Sequence, residues 1–380
     1  MANDFELVTV IAKRALLKLR ETTYMQFLAN RAYKDEAGNV GDTVKIRRPH
    51  TFVANDMAAN GAVVTQDIVD ETMSVKIDQW KETTVQIGDL QSTVNNDARF
   101  SRLIEDLATP LVSAFESDGI EALTHGISAQ TSLYGTTTGS LTPSIINQQV
   151  RRKMRANNVP LDRMNLYGLV CGDDESALLE SDKLTNTNYG QDRTEGIRNA
   201  AMGKIYGYEL FPSNLTSSPT IVDASGAVNN GAGYPIGTTT LTVDGFIAAP
   251  PKGALITIGS DPNVYTVGTG STTTSLVLHS GLIVAATDND AITLLDVNQN
   301  VFFHRDAVVM VSIPNSAAKT IGEEKYPGAI VTTVQLDGII MRAEFFRDSI
   351  TKKNGLTLDL LYGWEIANEK LAVKAYTQKQ

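Results

Sequence analysis

The sequence predicts an α+β protein with an all-β module set into it, and three observations carry that prediction. The spacing of apolar residues switches along the chain between the three- and four-residue steps of helices and the two-residue alternation of half-buried strands. The stretch 98–124 holds a helical period longer than any other in the chain. Between Leu210 and His304 there is neither Arg nor Glu, while Thr, Gly, Val, Ile and Asp dominate, a compositional shift that marks a domain boundary.

In chain order, Val8, Ile11, Ala12, Ala15 and Leu19 place one apolar stripe on a helix within Phe5 to Arg31, with Lys13, Arg14, Lys18 and Arg20 around its other side. Residues 34–70 combine one short strand, Thr43 to Arg47, with Gly, Asn, Asp and Pro turn formers; this predicts a long loop held by something outside its own domain. Met73, Val75 and Ile77, then Val85 and Ile87, alternate with polar neighbours as half-buried strands do. Asn96-Asp97 offers an N-cap for a helix from near Ala98 to about Thr124, with a kink expected where Pro110 deletes a backbone donor.

Thr142-Pro143 places a polar cap before proline at the first helical position of "SIINQQVRRKMRANN". The strand "NLYGLVCG", a short helix at "DDESALLESDKL" and the strand pair in "GKIYGYELFPSNL" follow. From 217 to 297 short strands separated by Gly/Asp/Pro turns predict a small β-barrel or sandwich, inserted because strand-helix chemistry resumes at Val301. The tail, 325–380, reads as alternating strands expected to complete a sheet begun near residue 72.

A chain of 380 residues with 42% hydrophobic and 20% charged residues is ordinary for a soluble globular protein, and no apolar run approaches the roughly 20 residues of a membrane span. The start "MANDFELVTV" has no basic and apolar leader, and the single cysteine, Cys171, cannot form an intrachain disulfide, which together predict a reducing, cytosolic setting. A net charge of −10 argues against a protein whose main task is gripping nucleic acid.

His304-Arg305-Asp306 spells the catalytic loop of a protein kinase, but the asparagine required five residues after the aspartate is Val311 here, so the segment reads as a strand. There is no Gly-x-Ser-x-Gly elbow, the four histidines are scattered singly, and Asp288-Asn289-Asp290 lacks the remainder of a calcium loop. The helical cluster Arg151, Arg152, Lys153 and Arg155 reads first as a solvated face, and otherwise as a contact for nucleic acid or a neighbouring subunit. No catalytic, cofactor or metal constellation emerges.

The order of these parts, with "GDTVKIRRP" at 41–49, "GKIYGYELFPSNL" at 203–215 and "NVFFHRDAVVMV" at 300–311, resembles the tailed-phage major capsid proteins of the Hong Kong 97 fold, most closely the short-tailed phage coat proteins with an inserted β domain. The resemblance implies an N-terminal arm at 1–33 and an extended loop at 34–70. It implies a peripheral domain from 71–140 and 325–380, an axial domain from 141–216 and 298–324, and an inserted β-barrel at 217–297. It further implies pentamers and hexamers of an icosahedral virion shell around double-stranded DNA bound without sequence specificity, assembled in the host cytoplasm with a scaffolding protein and a portal, and with no membrane or cofactor. The 217–297 stretch departs from such insertions in having almost no basic residues.

On that frame Lys13, Arg14, Lys18 and Arg20 are expected to face the shell interior and meet scaffold or DNA. Arg47 and Arg48 are candidates to pair with Glu365 or Glu369 of an adjacent copy. Two other readings stand beside it: a hydrolase or transferase with a dispersed site around Asp173, Asp174 and Glu175, and a tail-tube or adhesin component.

Overall fold

The computed structural model describes residues 13, 15, 24–31, 43–47, 54–56, 65–66, 72–88, 97–127, 133–135, 139–161, 165–181, 202–213, 219–222, 225–313, 329–336, 339–348 and 353–379. The chain divides into two compact units. The first comprises Met1–Thr22, Arg31–Ala114 and Val309–Glu365; the second comprises Thr23–Asn30, Phe115–Val308 and Ile366–Gln380.

The first unit is built on antiparallel strands. Val308–Ser312, Lys353–Ile366, Ile339–Asp348 and Ala329–Leu336 are neighbours in that order, and Gln79–Gly88 also pairs with Lys353–Ile366. The strand Thr72–Lys76 buries Met73 and Val75 and exposes the residues between them, as its alternation predicts. Its partner is Thr43–Arg47, joined antiparallel from Thr43↔Lys76 to Arg47↔Thr72. This strand of the 34–70 segment thus finds its ladder within its own chain, which satisfies its backbone groups; most of the rest of the loop expected to be held from outside its own domain lies outside the described residues.

The second unit centres on a mixed sheet in the order Leu133–Gly135, Ala372–Gln378, Val297–His304, Leu166–Val170, Tyr208–Pro212 and Lys204–Ile205. Every residue of Val297–His304 is buried, so both faces of this strand are covered. One face carries a core of Ile146, Val150, Met154, Leu178, Leu210, Phe302, Val373 and Ala375. Tyr206 and Gly207, with φ of 51° and 95°, make the two-residue turn between the last two strands, the left-handed pair a tight hairpin requires.

Two sequence expectations need correction. The strand Ala372–Gln378 does not complete the sheet that contains Gln79–Gly88; it pairs with Val297–His304 over seven positions and in parallel with Leu133–Gly135. Its alternate residues Val373 and Ala375 complete the apolar face of the second unit's sheet, a burial that outweighs its sequence proximity to Lys353–Ile366. The helix capped at Thr142 is also less regular than its periodicity suggests. Pro143–Ile145 is α-helical, Ile146–Val150 is a π-helical turn, and Arg151–Ala156 resumes the α-helix. The cap itself is as read: Thr142 Oγ1 accepts from the Ile145 N–H at 3.3 Å, with proline at the first position.

The long helix runs Asp97–His125 through Pro110. Leu107, Ala108, Leu111 and Val112 are buried in its first-unit portion, and Phe115, Ile120 and Leu123 in its second-unit portion. Between 225 and 295 lie six short strands in the order Tyr265–Thr266, Leu255–Ile258, Ala291–Leu295, Ser225–Val228, Thr240–Asp244 and Ser275–Val277. The outer two are tied by a Val267↔Leu278 bridge and by the His279 N–H donating to the Thr266 carbonyl at 2.9 Å. They enclose their own core, which includes Leu241, Val243, Ile256, Tyr265, Leu276 and Ile292.

Candidate functional site

Four features of the second unit that carry polar chemistry differ in what they can do. The first is a buried carboxylate. The short helix Gly172–Leu179 opens with Asp173, Asp174 and Glu175, and Asp174 is completely buried. Its Oδ1 accepts the Leu141 N–H at 2.6 Å; its Oδ2 accepts Asn300 Nδ2 at 2.6 Å, the Cys171 thiol at 3.3 Å and the Thr377 hydroxyl. Asn300 Oδ1 in turn accepts the Cys171 N–H at 2.9 Å, and Asp173 accepts from Asn298 Nδ2 at 2.9 Å. A carboxylate with this many donors is a structural node. Burial, helped by the Asp174 carboxylate, pushes the Cys171 thiol up to about 12, which leaves it a poor nucleophile.

The second feature explains the kinase-like tripeptide. His304 ends a buried strand and its Nδ1 accepts the Asp306 N–H, capping the turn Arg305–Ala307. Asp306 Oδ1 accepts from Asn30 Nδ2 at 2.8 Å, and Arg305 Nε donates to the Ala29 carbonyl at 3.4 Å. Glu116 of the long helix accepts the N–H groups of Tyr24 and Met25 at 3.2–3.3 Å, at the start of the short helix Met25–Leu28. Tyr24 rests on Phe211 with ring centroids 5.3 Å apart. The tripeptide and Glu116 thus clasp residues 24–30. Burial raises the Glu116 carboxyl to about 7 despite the two backbone donors that lower it.

The third is a groove of about 480 Å³ lined by Asn147, Gln148, Gln149, Arg151, Arg152 and Arg155. Arg151 Nη1 donates to the Tyr206 carbonyl, and Arg152 Nη2 to Gln149 Oε1 at 3.3 Å. Among the described residues no carboxylate lines it.

Beneath the β module the sheet's other face hides an unusual amine. Lys374 is fully buried, its Nζ has no hydrogen-bond partner among the described residues, and burial alone pulls it down to about 7. His125, on the end of the long helix, is held down to about 4, by burial first and by Lys374 next. Its Nδ1 lies 3.4 Å from Glu121 Oε1, within ion-pairing distance but outside hydrogen-bonding geometry. Glu121 itself is bridged by Lys252 at 2.7 Å.

Of the residues singled out from sequence, Lys13 is helical and exposed, whereas Arg14, Lys18, Arg20 and Arg48 lie outside the described residues. Arg47 ends the strand paired with Thr72, its side chain outside the described residues. Glu365 is exposed near the end of Lys353–Ile366, and Glu369 is half-buried in the turn Glu369–Leu371. Asp173, Asp174 and Glu175 do come together on one helix, where Asp174 is a node. Sequence reading missed Glu116, Asn300, Thr377 and Lys374, whose partners are far away in the chain. Among the described residues no group of His, Cys, Asp and Glu is placed to hold a metal ion, and no helix is long and apolar enough to cross a membrane.

No protein-family model and no curated protein matches the chain. Solved structures do. A structure of Mycobacterium phage Che8 aligns over 93% of this chain and 91% of its own, at 16% identity and a TM-score of 0.52. The mature capsid of bacteriophage PhiM1 aligns over 94% and 88%, at 10% identity and a TM-score of 0.53. The capsid of cyanophage P-SCSP1u aligns over 91% and 86%, at 11% identity and a TM-score of 0.51. The chain has the tailed-phage major capsid protein fold.

Proposed function

We propose that this chain is the major capsid protein of a tailed phage, a structural protein without catalytic activity that assembles into the pentamers and hexamers of an icosahedral shell around double-stranded DNA. The observation that carries this reading is a capsid fold matched along more than nine-tenths of the chain. Shells are made by heterologous contacts closed by rotational symmetry, and many weak interfaces together give a cohesion that no single one has. Such a task needs no active site, in keeping with acidic side chains that serve as internal nodes. The hydrolase reading is not favoured, since Asp174 is spent on four internal donors.

The mixed sheet of the second unit, with Leu133–Gly135 and Ala372–Gln378 included, then serves as the axial domain, and the strands of the first unit as the peripheral domain. The 217–297 stretch is a small inserted β-barrel, a reading supported by the bonds between its outer strands. The N-terminal basic residues, Lys13 among them, face the interior, where a scaffolding protein and then the genome lie, and one vertex carries a portal. Electron microscopy of the full chain, expressed alone and with scaffolding candidates from the same genome, tests this. Closed shells of uniform size are expected. Open tubes would support the tail-tube reading, and monomers under every condition would overturn the proposal.

A further inference from the structure

The basic groove has features that a merely solvated helix face does not need. Arg151 and Arg155 are four residues apart, a spacing at which like charges on a helix repel by roughly 0.2–0.5 kcal/mol. Among the described residues nothing in the groove offsets this, because its remaining lining is the neutral amides of Asn147, Gln148 and Gln149. Arg155 has no partner among the described residues. The π-helical turn Ile146–Val150 immediately precedes the arginines, and its Asn147 and Gln148 line the same groove as Arg151 and Arg155. Such turns are frequent at functional sites. Arg151 and Arg152 are already fixed by the Tyr206 carbonyl and by Gln149, so less side-chain freedom would be lost when an anion arrives.

An acidic helix sits on the same face of the same sheet. Leu178 of Gly172–Leu179 shares the core of Ile146, Val150 and Met154. The two helices are nevertheless tied to different strands: Arg151 rests on the Tyr206 turn of the edge hairpin, whereas Asp173 and Asp174 are tied to Asn298, Asn300 and Thr377. Glu175 is half-buried and Glu180 exposed, and neither has a partner among the described residues. Among the described residues a copy thus offers a cationic groove with no carboxylate in its lining and, elsewhere on that face, carboxylates without a partner. Two such patches on one chain are complementary head to tail, the form of contact that closes into a ring.

We infer that the groove of Arg151, Arg152 and Arg155 receives the Glu175 and Glu180 carboxylates of a second copy of this chain. The inference rests on the shell reading for its biological setting but not for its test. A protein partner is favoured over nucleic acid because the chain carries a net charge of −10, which repels phosphate over the rest of its surface. Guanidinium groups held in place pair with carboxylates through two hydrogen bonds, which fixes orientation as well as contact.

Two variants of the full chain that each add one cysteine, Arg152→Cys and Glu180→Cys, mixed and mildly oxidised, should give a disulfide-linked dimer that contains one of each; Cys171 is buried and does not compete. Absence of that mixed dimer, or its formation no faster than the two homodimers, overturns the contact. Sedimentation velocity gives the second arm. Arg151→Glu/Arg155→Glu and Glu175→Lys/Glu180→Lys should each weaken self-association by about tenfold or more, and all four changes together should restore much of it. Loss without rescue, with only the arginine variant altered and bound DNA lost alongside, would assign the groove to nucleic acid and overturn the contact. A mixed dimer without shells in the microscope would keep the contact and remove the shell reading.

Discussion

At the scale of single residues, two buried titratable groups respond to pH in opposite directions. Lys374 has its folded-state value pulled down to about 7 from 10.5, so between those values the unfolded chain holds a proton that the folded chain does not. Stability therefore rises with pH across that window, and the full cost of the buried amine is present below about pH 7. We expect Lys374→Met, of similar volume and without the charge, to be more stable at pH 7 by roughly 1–4 kcal/mol, with the gain shrinking toward pH 10. Denaturant midpoints at the two pH values check this, and a less stable variant would mean that the amine has an acceptor. Glu116 runs the other way. Its folded value is raised from 4.5 to about 7, so the folded state holds the extra proton between those values and stability falls as pH rises through them. Glu116→Gln should remove a cost on the order of 2 kcal/mol above pH 7 and none near pH 4. Hydrogen exchange at the Tyr24 and Met25 amides, which donate to Glu116, reads the effect locally.

At the scale of elements, caps and turns are where a few atoms decide a helix or hairpin. Thr142→Ala removes the acceptor for the Ile145 N–H and should cost about 0.5–2 kcal/mol in thermal or denaturant unfolding. Gly207 has φ of 95° in the hairpin turn, a conformation that a side chain strains, so Gly207→Val should cost roughly 1–3 kcal/mol. That change also disturbs Tyr206, whose carbonyl holds Arg151, so it should loosen the basic groove. An unchanged melting temperature for Gly207→Val would show that the turn relaxes to another type. The Thr142 cap and the Gly172–Leu179 helix were legible in the sequence because their signals lie within a few residues of each other. The π-turn was not, since the apolar spacing of Ile146, Val150 and Met154 fits a plain α-helix equally well.

At the scale of the whole molecule, the 225–295 strands have a core of their own but also cover part of the second unit's sheet. Leu255 and Val264 pack with Val297, and Tyr376 lies against them; Gln299 Nε2 donates to the Gly253 carbonyl at 3.0 Å. Gly253 must remain glycine there, because at φ of 81° a Cβ would run into the His125 ring. A fragment of 219–297 should therefore unfold cooperatively by itself. Deleting 217–297 behind a short Gly/Ser linker should leave a folded but less stable chain, with Gln299 and Tyr376 uncovered. Calorimetry of fragment and deletion decides this: a fragment without a cooperative transition would mean that the strands depend on the sheet beneath them.

The sequence by itself determined the places of most helices and strands. Periodicity and capping act over a few residues, so the long helix near 98–124, the strand at Thr43–Arg47 and the strand ending at His304 could be read directly. It also determined that no familiar catalytic motif is complete. Only the tertiary structure decided which strands are partners. It moved Ala372–Gln378 from one sheet to another, gave Thr43–Arg47 a partner within its own chain, and turned a kinase-like tripeptide into a clasp for residues 29–30. It alone brought Asp174 to Thr377, 203 residues away, and buried Lys374 without an acceptor among the described residues. The physical reason is that burial and hydrogen-bond satisfaction belong to the folded chain as a whole; a local pattern specifies a face, and only the packed molecule specifies what that face meets.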